Sequence, residues 1–182
     1  MQGIQPKSEL EDFYKTDDPW GYDAHPDDAR RKRELQAVLP QVPFKRTLDI
    51  GCGNGFVTID LPGDEVLGTD ISDKAIEYAR QRAQQQKPDK NIKYEAVSFF
   101  NMTPEKYGQF DLIVITGVLY PQYIGDASSL ARLVIDNLLA PGGHLVSCHI
   151  MDWAPPGFTY NLLDRTLYTY RDYTHLLEVY RK

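Results

Sequence analysis

Leu48-Asp49-Ile50-Gly51-Cys52-Gly53-Asn54-Gly55-Phe56 is a short apolar run that breaks into glycines at alternate positions. A strand ending this way lets a ligand come close to backbone amides, because glycine has no Cβ and tolerates positive φ. Alone, the loop reads equally as a tight turn. A second signal stands nineteen residues after Gly51, where Asp70 closes the strand-like run Glu65 to Thr69. A carboxylate at that distance can accept both ribose hydroxyls of a nucleoside. Loop and acid are independent of each other and imply the same nucleoside-binding start of a parallel sheet.

The loop departs from the dinucleotide fingerprint G-x-G-x-x-G. Its third glycine would fall on Phe56, and glycine stands at Gly55 instead. About seven helical residues are expected between the loop and Leu61-Pro62-Gly63, little room for the helix terminus that binds a pyrophosphate. Asp49 adds negative charge where a pyrophosphate would not want it and a cation would. A ligand carrying an adenosine, an ammonium and a sulfonium fits these residues better than NAD.

Outward from the loop, strand and helix patterns alternate. Thr47 to Ile50 and Glu65 to Thr69 read as the first two strands. Ser72 caps a helix whose Ala75, Ile76, Ala79 and Ala83 share a face as far as Gln86. Ile92 to Val97 reads as a third strand, and Phe110 to Ile115 is apolar enough for a central parallel strand. A helix over about Ala127 to Leu139 should bury Leu130, Leu133, Val134 and Leu138 and stop at Pro141-Gly142-Gly143. A fifth strand, His144 to Ile150, is followed by two more, Thr166 to Tyr170 and Thr174 to Tyr180, turning at Arg171-Asp172. The pattern predicts an α/β, Rossmann-like fold: seven strands, mainly parallel, one antiparallel, with helices on both faces.

Ahead of this core (residues 46–182), residues 1–45 are polar and are expected to form a helical appendage over the ligand site. Glu9 to Tyr14 suits a short helix. Pro26 suits the first position of a longer one, with Asp27 and Asp28 in its first turn and an end near Val38.

Composition bounds the function. The 182 residues carry 20 Lys+Arg against 26 Asp+Glu, a formal charge of −6, which argues against a general nucleic-acid binder. The apolar run Leu112 to Tyr120 is broken by Thr116 and Gly117, and Met1 to Glu11 has no apolar signal core. Cys52 and Cys148 are too few for a disulfide scaffold and belong to strands too far apart to pair. The four histidines and two cysteines show no metal-ligand spacing. A reduced, cytoplasmic domain acting on a small molecule is expected, with no nucleic-acid or membrane partner and no metal.

From about residue 12 to 182 the sequence resembles the class I S-adenosylmethionine-dependent methyltransferases, and within them the nodulation protein S group. The matching segments are Asp17-Asp18-Pro19-Trp20, the glycine loop, Phe110 to Val114 with Val118-Leu119-Tyr120, and Leu139-Ala140-Pro141-Gly142-Gly143-His144-Leu145-Val146. That group N-methylates the free amino sugar at one end of a chito-oligosaccharide. The resemblance implies that Asp49, Gly51, Cys52 and Gly53 border the methionine half of S-adenosylmethionine. Asp70 would hold the ribose, and Ile71 would pack on the adenine. The carbonyl region of Thr116 would face the amino group. An acidic residue commonly meets the adenine amine after the third strand; here Ser98 stands there, followed by Phe99. The nodulation group carries a glutamate before Val-Leu-Tyr, where this chain has Gly117.

Methyl transfer from a sulfonium is an in-line displacement that needs alignment, exclusion of water and, for some acceptors, removal of a proton. Alignment alone supplies up to about 7–11 kcal/mol in favourable models. Trp20 is placed to stack near the sulfonium or to anchor the appendage, and Tyr14 and Tyr22 to line the same cleft. His149, closing the fifth strand, is the candidate proton acceptor, against a reading as a core histidine. Tyr120 is the candidate substrate contact. The cluster Arg30 to Arg33 reads as a solvated face, with one arginine available for the donor's carboxylate. The competing functions are an NAD-dependent oxidoreductase and a non-catalytic interaction module that keeps the fold.

Overall fold

The computed structural model describes residues 3–182. Seven strands form one sheet in the order β3-β2-β1-β4-β5-β7-β6. They are β1 (Arg46–Ile50), β2 (Glu65–Asp70), β3 (Ile92–Ala96), β4 (Phe110–Thr116), β5 (Leu139–Ile150), β6 (Asn161–Tyr170) and β7 (Tyr173–Arg181). The first five pair in parallel, and β7 runs antiparallel to both β5 and β6. This is the expected sheet with its single reversed strand.

Six α-helices accompany it: α1 (Lys7–Phe13), α2 (Pro26–Val38), α3 (Asp73–Gln86), α4 (Pro104–Tyr107), α5 (Pro121–Ile124) and α6 (Ser128–Leu138). The side chains of β4 alternate between two cores. Ile113 and Ile115 join Leu48, Leu67 and Leu145 under α6. Leu112 and Val114 join Val146, Leu177 and Val179 under Leu35 of α2 and Leu39 just after it. Ile76 and Ala79 of α3 pack on Tyr94 of β3. Burying such a Leu or Ile side chain contributes about 1.5–3 kcal/mol, so the sheet centre supplies much of the stability.

Two expectations are corrected. In α6 the buried positions are Ala131, Val134, Ile135 and Leu138, while Leu130 and Leu133 are exposed. The core stripe follows i, i+3, i+4, i+7 from Ala131, one residue out of phase with the leucines. Pro141-Gly142-Gly143 lies inside β5, because Leu139 already pairs with Phe110 and the ladder resumes at Leu112–His144. These residues bulge within the strand and do not separate it from α6.

The sequence order of strands reverses between β1 and β4, so the crevice opens at their carboxyl ends, where ligands bind in open α/β sheets. The first turn of α2 is fastened to the β6–β7 turn on the far side. Tyr170 Oη and Arg171 Nη2 donate to the Asp28 carboxylate at 2.8 and 2.7 Å, and the Arg171 amide donates to Asp27 Oδ2 at 2.9 Å. These bonds bring the N-terminal segment and the closing hairpin to one rim.

Candidate active site

A cavity of about 620 Å³ occupies this crevice. All ten expected donor-binding positions meet on its wall: Trp20, Asp49, Gly51, Cys52, Gly53, Asp70, Ile71, Ser98, Phe99 and Thr116. Tyr120, the expected substrate contact, lines it as well.

The floor begins where β1 ends. The stretch from Gly51 to Val57 does not form the short helix expected there; only Thr58–Asp60 makes a single 3-10 turn. Phe56 packs against Tyr22 at 5.4 Å between ring centroids and fills the space a third fingerprint glycine would leave open. Gly53 has φ +53°, and a Cβ there would lie 2.7 Å from Tyr14 Oη. The missing side chain lets Tyr14 close over the loop, whose amides at Gly51, Cys52, Gly53 and Gly55 are already paired, and the cavity runs along this glycine cradle.

Asp70 closes β2 beside this cradle. Its Oδ2 accepts from the Gly53 amide at 3.1 Å and its Oδ1 from the Ser72 amide at 3.0 Å. Burial raises its pKa, although those amide hydrogen bonds pull the other way. Each oxygen keeps lone-pair capacity toward the cavity, as a diol needs. Asp49, on β1, is buried and accepts from Thr58 Oγ1 at 2.6 Å. Burial pushes its carboxyl up to about 7, against the pull of the Thr58 hydroxyl and of Arg31.

Arg31 reaches the cavity from α2. Asp28, Arg31 and Leu35 are the buried residues of that helix, so one helical face carries an ion pair and a core leucine. The guanidinium lies over the Tyr22 ring at 4.7 Å and within 5.8 Å of the Tyr170 ring. Its Nε stands 3.5 Å from Asp28 Oδ1 without hydrogen-bond geometry and is otherwise unpartnered. Burial works against its charge, but Tyr22, Tyr170 and Asp28 outweigh that and hold it protonated. It is the arginine of the Arg30–Arg33 cluster that faces inward. The spacing of Asp28, Arg31 and Leu35 was the available signal for it.

The aromatic wall is larger than expected. Trp20 Nε1 donates to Tyr14 Oη at 3.4 Å, and its ring stacks 6.4 Å from Tyr22. Across the mouth, Tyr120 meets Trp153 edge-on at 5.7 Å, and Trp153 meets Tyr173 at 5.2 Å. Tyr120 Oη accepts from the Ile150 amide at 2.7 Å, which fixes its ring and leaves its proton to donate. Trp153, Tyr173 and His175 were not singled out from sequence; Tyr173 and His175 are hidden in a tail rich in tyrosine and leucine, and Trp153 in the connection between β5 and β6.

His149 is not among the residues lining the cavity. It is buried beneath the sheet's other face, its Nε2 accepting from the Leu119 amide at 3.2 Å and its Nδ1 3.1 Å from Ser147 Oγ. Burial holds its pKa down at about 3. With its acceptor nitrogen already engaged, it secures the turn after β4, as the reading of it as a core histidine expects, and presents no lone pair to the cavity. Cys52 and Cys148 are free and buried, Cys52 in the loop after β1 and not on that strand. Among the described residues no cluster of His, Cys, Asp or Glu has metal-binding geometry, and no helix is long and apolar enough to cross a membrane.

Gly117 follows β4 with φ +68°. A Cβ there would meet only the Tyr120 ring, near 4 Å, so conformation and not space demands glycine. A glutamate, as in the nodulation group, would have to enter the left-handed region at about 1–2 kcal/mol. Gly117→Glu is therefore expected to lower unfolding stability by that amount in a denaturant titration. An unchanged midpoint would show that the turn relaxes without cost.

Residues 43–170 match the methyltransferase-domain family. Nodulation protein S of Rhizobium tropici is 35% identical over 137 residues, covering 72% of this chain and 54% of that protein. Ubiquinone biosynthesis O-methyltransferase of Acinetobacter baumannii (strain AYE) is 31% identical over 103 residues, covering 56% of this chain and 42% of that protein. The chain thus spans about half the length of these relatives. The crystal structure of the N-methyltransferase NodS from Bradyrhizobium japonicum WM9 in complex with S-adenosyl-L-homocysteine superposes with a TM-score of 0.79 at 27% identity. That match covers 97% of each chain.

Proposed function

The chain belongs to the methyltransferase-domain family, and from that membership we propose that it transfers a methyl group from S-adenosylmethionine to an amine or hydroxyl of a small molecule. The observation that carries this reading is the pairing of Asp70 with the Gly53 amide, beside Asp49 and Arg31 in one cavity. These three side chains would supply partners for a diol, an ammonium and a carboxylate around one cavity. The donor supplies an electrophilic methyl on sulfur, and the protein needs no covalent step.

Asp70 would take the ribose hydroxyls, with Ile71 and Phe99 against the base and Ser98 available to its amine. Asp49 would face the donor's ammonium and Arg31 its carboxylate. Trp20, Tyr14 and Tyr22 give the cationic sulfur an aromatic surround, an attraction of about 0.5–2 kcal/mol. Residues 3–25 form part of the cover, since α1 and the turn after it supply one wall of the cavity. Tyr120, Trp153 and Tyr173 offer flat faces to a sugar or aromatic acceptor. The relatives named above include an N- and an O-methyltransferase, so the acceptor atom is the open variable.

An oxidoreductase reading is disfavoured by the site itself. The loop leads into one 3-10 turn and no α-helix, so the amides and dipole that hold a pyrophosphate are missing. S-adenosylhomocysteine is expected to raise the melting temperature and NADH to leave it unchanged; the reverse result would end the methyltransferase reading. A mass-read screen of amino sugars, amines and phenols with labelled donor then identifies the acceptor.

Asp49 gives this binding a pH signature. Its carboxyl is raised, so at low pH the folded protein holds a proton there that the ammonium must displace. Affinity for S-adenosylhomocysteine should therefore rise with pH until about 7 and level off above it. The slope is at most about one decade per pH unit for a single proton. The same shift makes Asp49 a burden on the fold as pH rises from about 4 toward 7, since the unfolded chain releases that proton first. Asp49→Asn should flatten the affinity profile, whereas a slope that survives would assign it to Asp70, whose pKa is also raised.

A further inference from the structure

With His149 placed behind the cavity wall, the remaining imidazole in the crevice is His175, on β7, and it has been given no role. Its ring lines the cavity yet is only 5% exposed. Three neighbours orient it. Tyr168 Oη lies 3.0 Å from Nδ1, Cys148 Sγ lies 3.6 Å from the same nitrogen, and the Tyr170 ring stacks on it at 4.0 Å and 19°. Tyr168 Oη in turn lies 3.4 Å from Cys148 Sγ. The ring's Nε2 has no hydrogen-bond partner among the described residues and is not sealed from the cavity.

We infer that His175 Nε2 is the proton acceptor for the methyl acceptor's hydroxyl or amine, held in place by Tyr168 as a positioning residue. This rests on the methyltransferase reading above. Of the two directions these contacts allow, a proton-accepting Nε2 requires the one in which Nδ1–H donates to Tyr168 Oη and the Tyr168 hydroxyl donates to Cys148 Sγ. The Nε2 lone pair is then free. Asp49 and Asp70 are committed to the donor, and Glu9, the other carboxylate on the wall, is solvent-exposed on α1.

The step balances without a co-reactant. The acceptor's oxygen or nitrogen lone pair forms the new bond to the methyl carbon. The carbon–sulfur bond breaks, and its electron pair stays on sulfur, which loses its charge. The acceptor's proton passes to Nε2, and the resulting imidazolium returns it to water at the mouth. The groups facing the ring are Arg31 from α2, Cys148 from β5, and Tyr168 and Tyr170 from β6. Burial, with Arg31, holds the resting imidazole neutral, its pKa lowered to about 3. Positive charge leaves the sulfur as the proton arrives, so the cavity does not gain net charge, and Tyr170 offers the imidazolium an aromatic face.

The test uses the full chain with S-adenosylhomocysteine bound. Long-range ¹H–¹⁵N spectra of ¹⁵N-histidine protein at pH 7 should show His175 protonated on Nδ1 and bare on Nε2, a preference weakened in Tyr168→Phe. An Nε2-protonated ring overturns the assignment whichever acceptor is used. His175→Gln should bind S-adenosylhomocysteine within about twofold of wild type. Its turnover of glucosamine or 3,4-dihydroxybenzoate, whichever the wild type methylates, should fall by roughly 10²–10⁴-fold. Tyr168→Phe should lower kcat with KM unchanged. Wild-type turnover in His175→Gln, or a tenfold loss of product binding, overturns the inference and leaves the methyltransferase reading standing. Failure of the wild type to bind S-adenosylhomocysteine would instead remove that reading.

Discussion

Asp70→Ala is expected to weaken binding of S-adenosylhomocysteine by about 1.5–3 kcal/mol, the range for hydrogen bonds to a charged group, or roughly 10- to 150-fold. The carboxylate does two jobs at once. It ties the Gly53 amide to the end of β2, and it presents its remaining lone pairs to the crevice. Alanine removes the diol partner and leaves two backbone donors without an acceptor. Methylthioadenosine keeps the ribose and adenine but lacks both charged ends of the methionine half, so it should lose as much affinity as S-adenosylhomocysteine. Calorimetry with both ligands, beside a melting curve for the variant, separates a lost contact from a lost fold. Equal affinity in wild type and variant would remove Asp70 from the site.

The sheet was readable because its signals are local and redundant. Alternating apolar runs, the Ser72 cap and the glycine loop each restrict the backbone independently, and all seven expected strands are present, although β5 begins at Leu139 and β6 at Asn161, each five residues ahead of the expected start. Position along an element was less readable than its type. The exposed Leu130 and Leu133 show that residue identity alone does not fix the phase of a helix when Ala131 can serve as a core residue. At the site, positions fixed by the first two strands were legible, since Asp49 and Asp70 stand at the ends of β1 and β2. What was hidden depends on long-range pairing. His175 reaches the cavity because it pairs with Ile150 across β5 and β7, and no local pattern distinguishes it from His149. Arg31 hid inside a run of charges, where the buried member differs from its neighbours only in facing Leu35's side of the helix.

Arg31→Met provides the complementary measurement. If Arg31 holds the donor's carboxylate, its loss should reduce affinity for S-adenosylhomocysteine by about 1.5–3 kcal/mol. Affinity for methylthioadenosine, which lacks that carboxylate, should stay the same. The fold should tolerate the change. Removing one partner of a buried ion pair usually costs about 3–5 kcal/mol, because a charge is left alone. Here Asp28 keeps Arg171 Nη2 at 2.7 Å and Tyr170 Oη at 2.8 Å, and methionine retains packing against Tyr22 and Tyr170. The loss of stability should therefore fall below that range. A guanidinium whose only service is to fasten α2 to the β6–β7 turn predicts the opposite pattern: a large drop in melting temperature and equal weakening of both ligands. The ligand pair thus distinguishes a recognition residue from a structural one, and with Asp70→Ala it maps the two ends of the same molecule onto the two sides of the cavity.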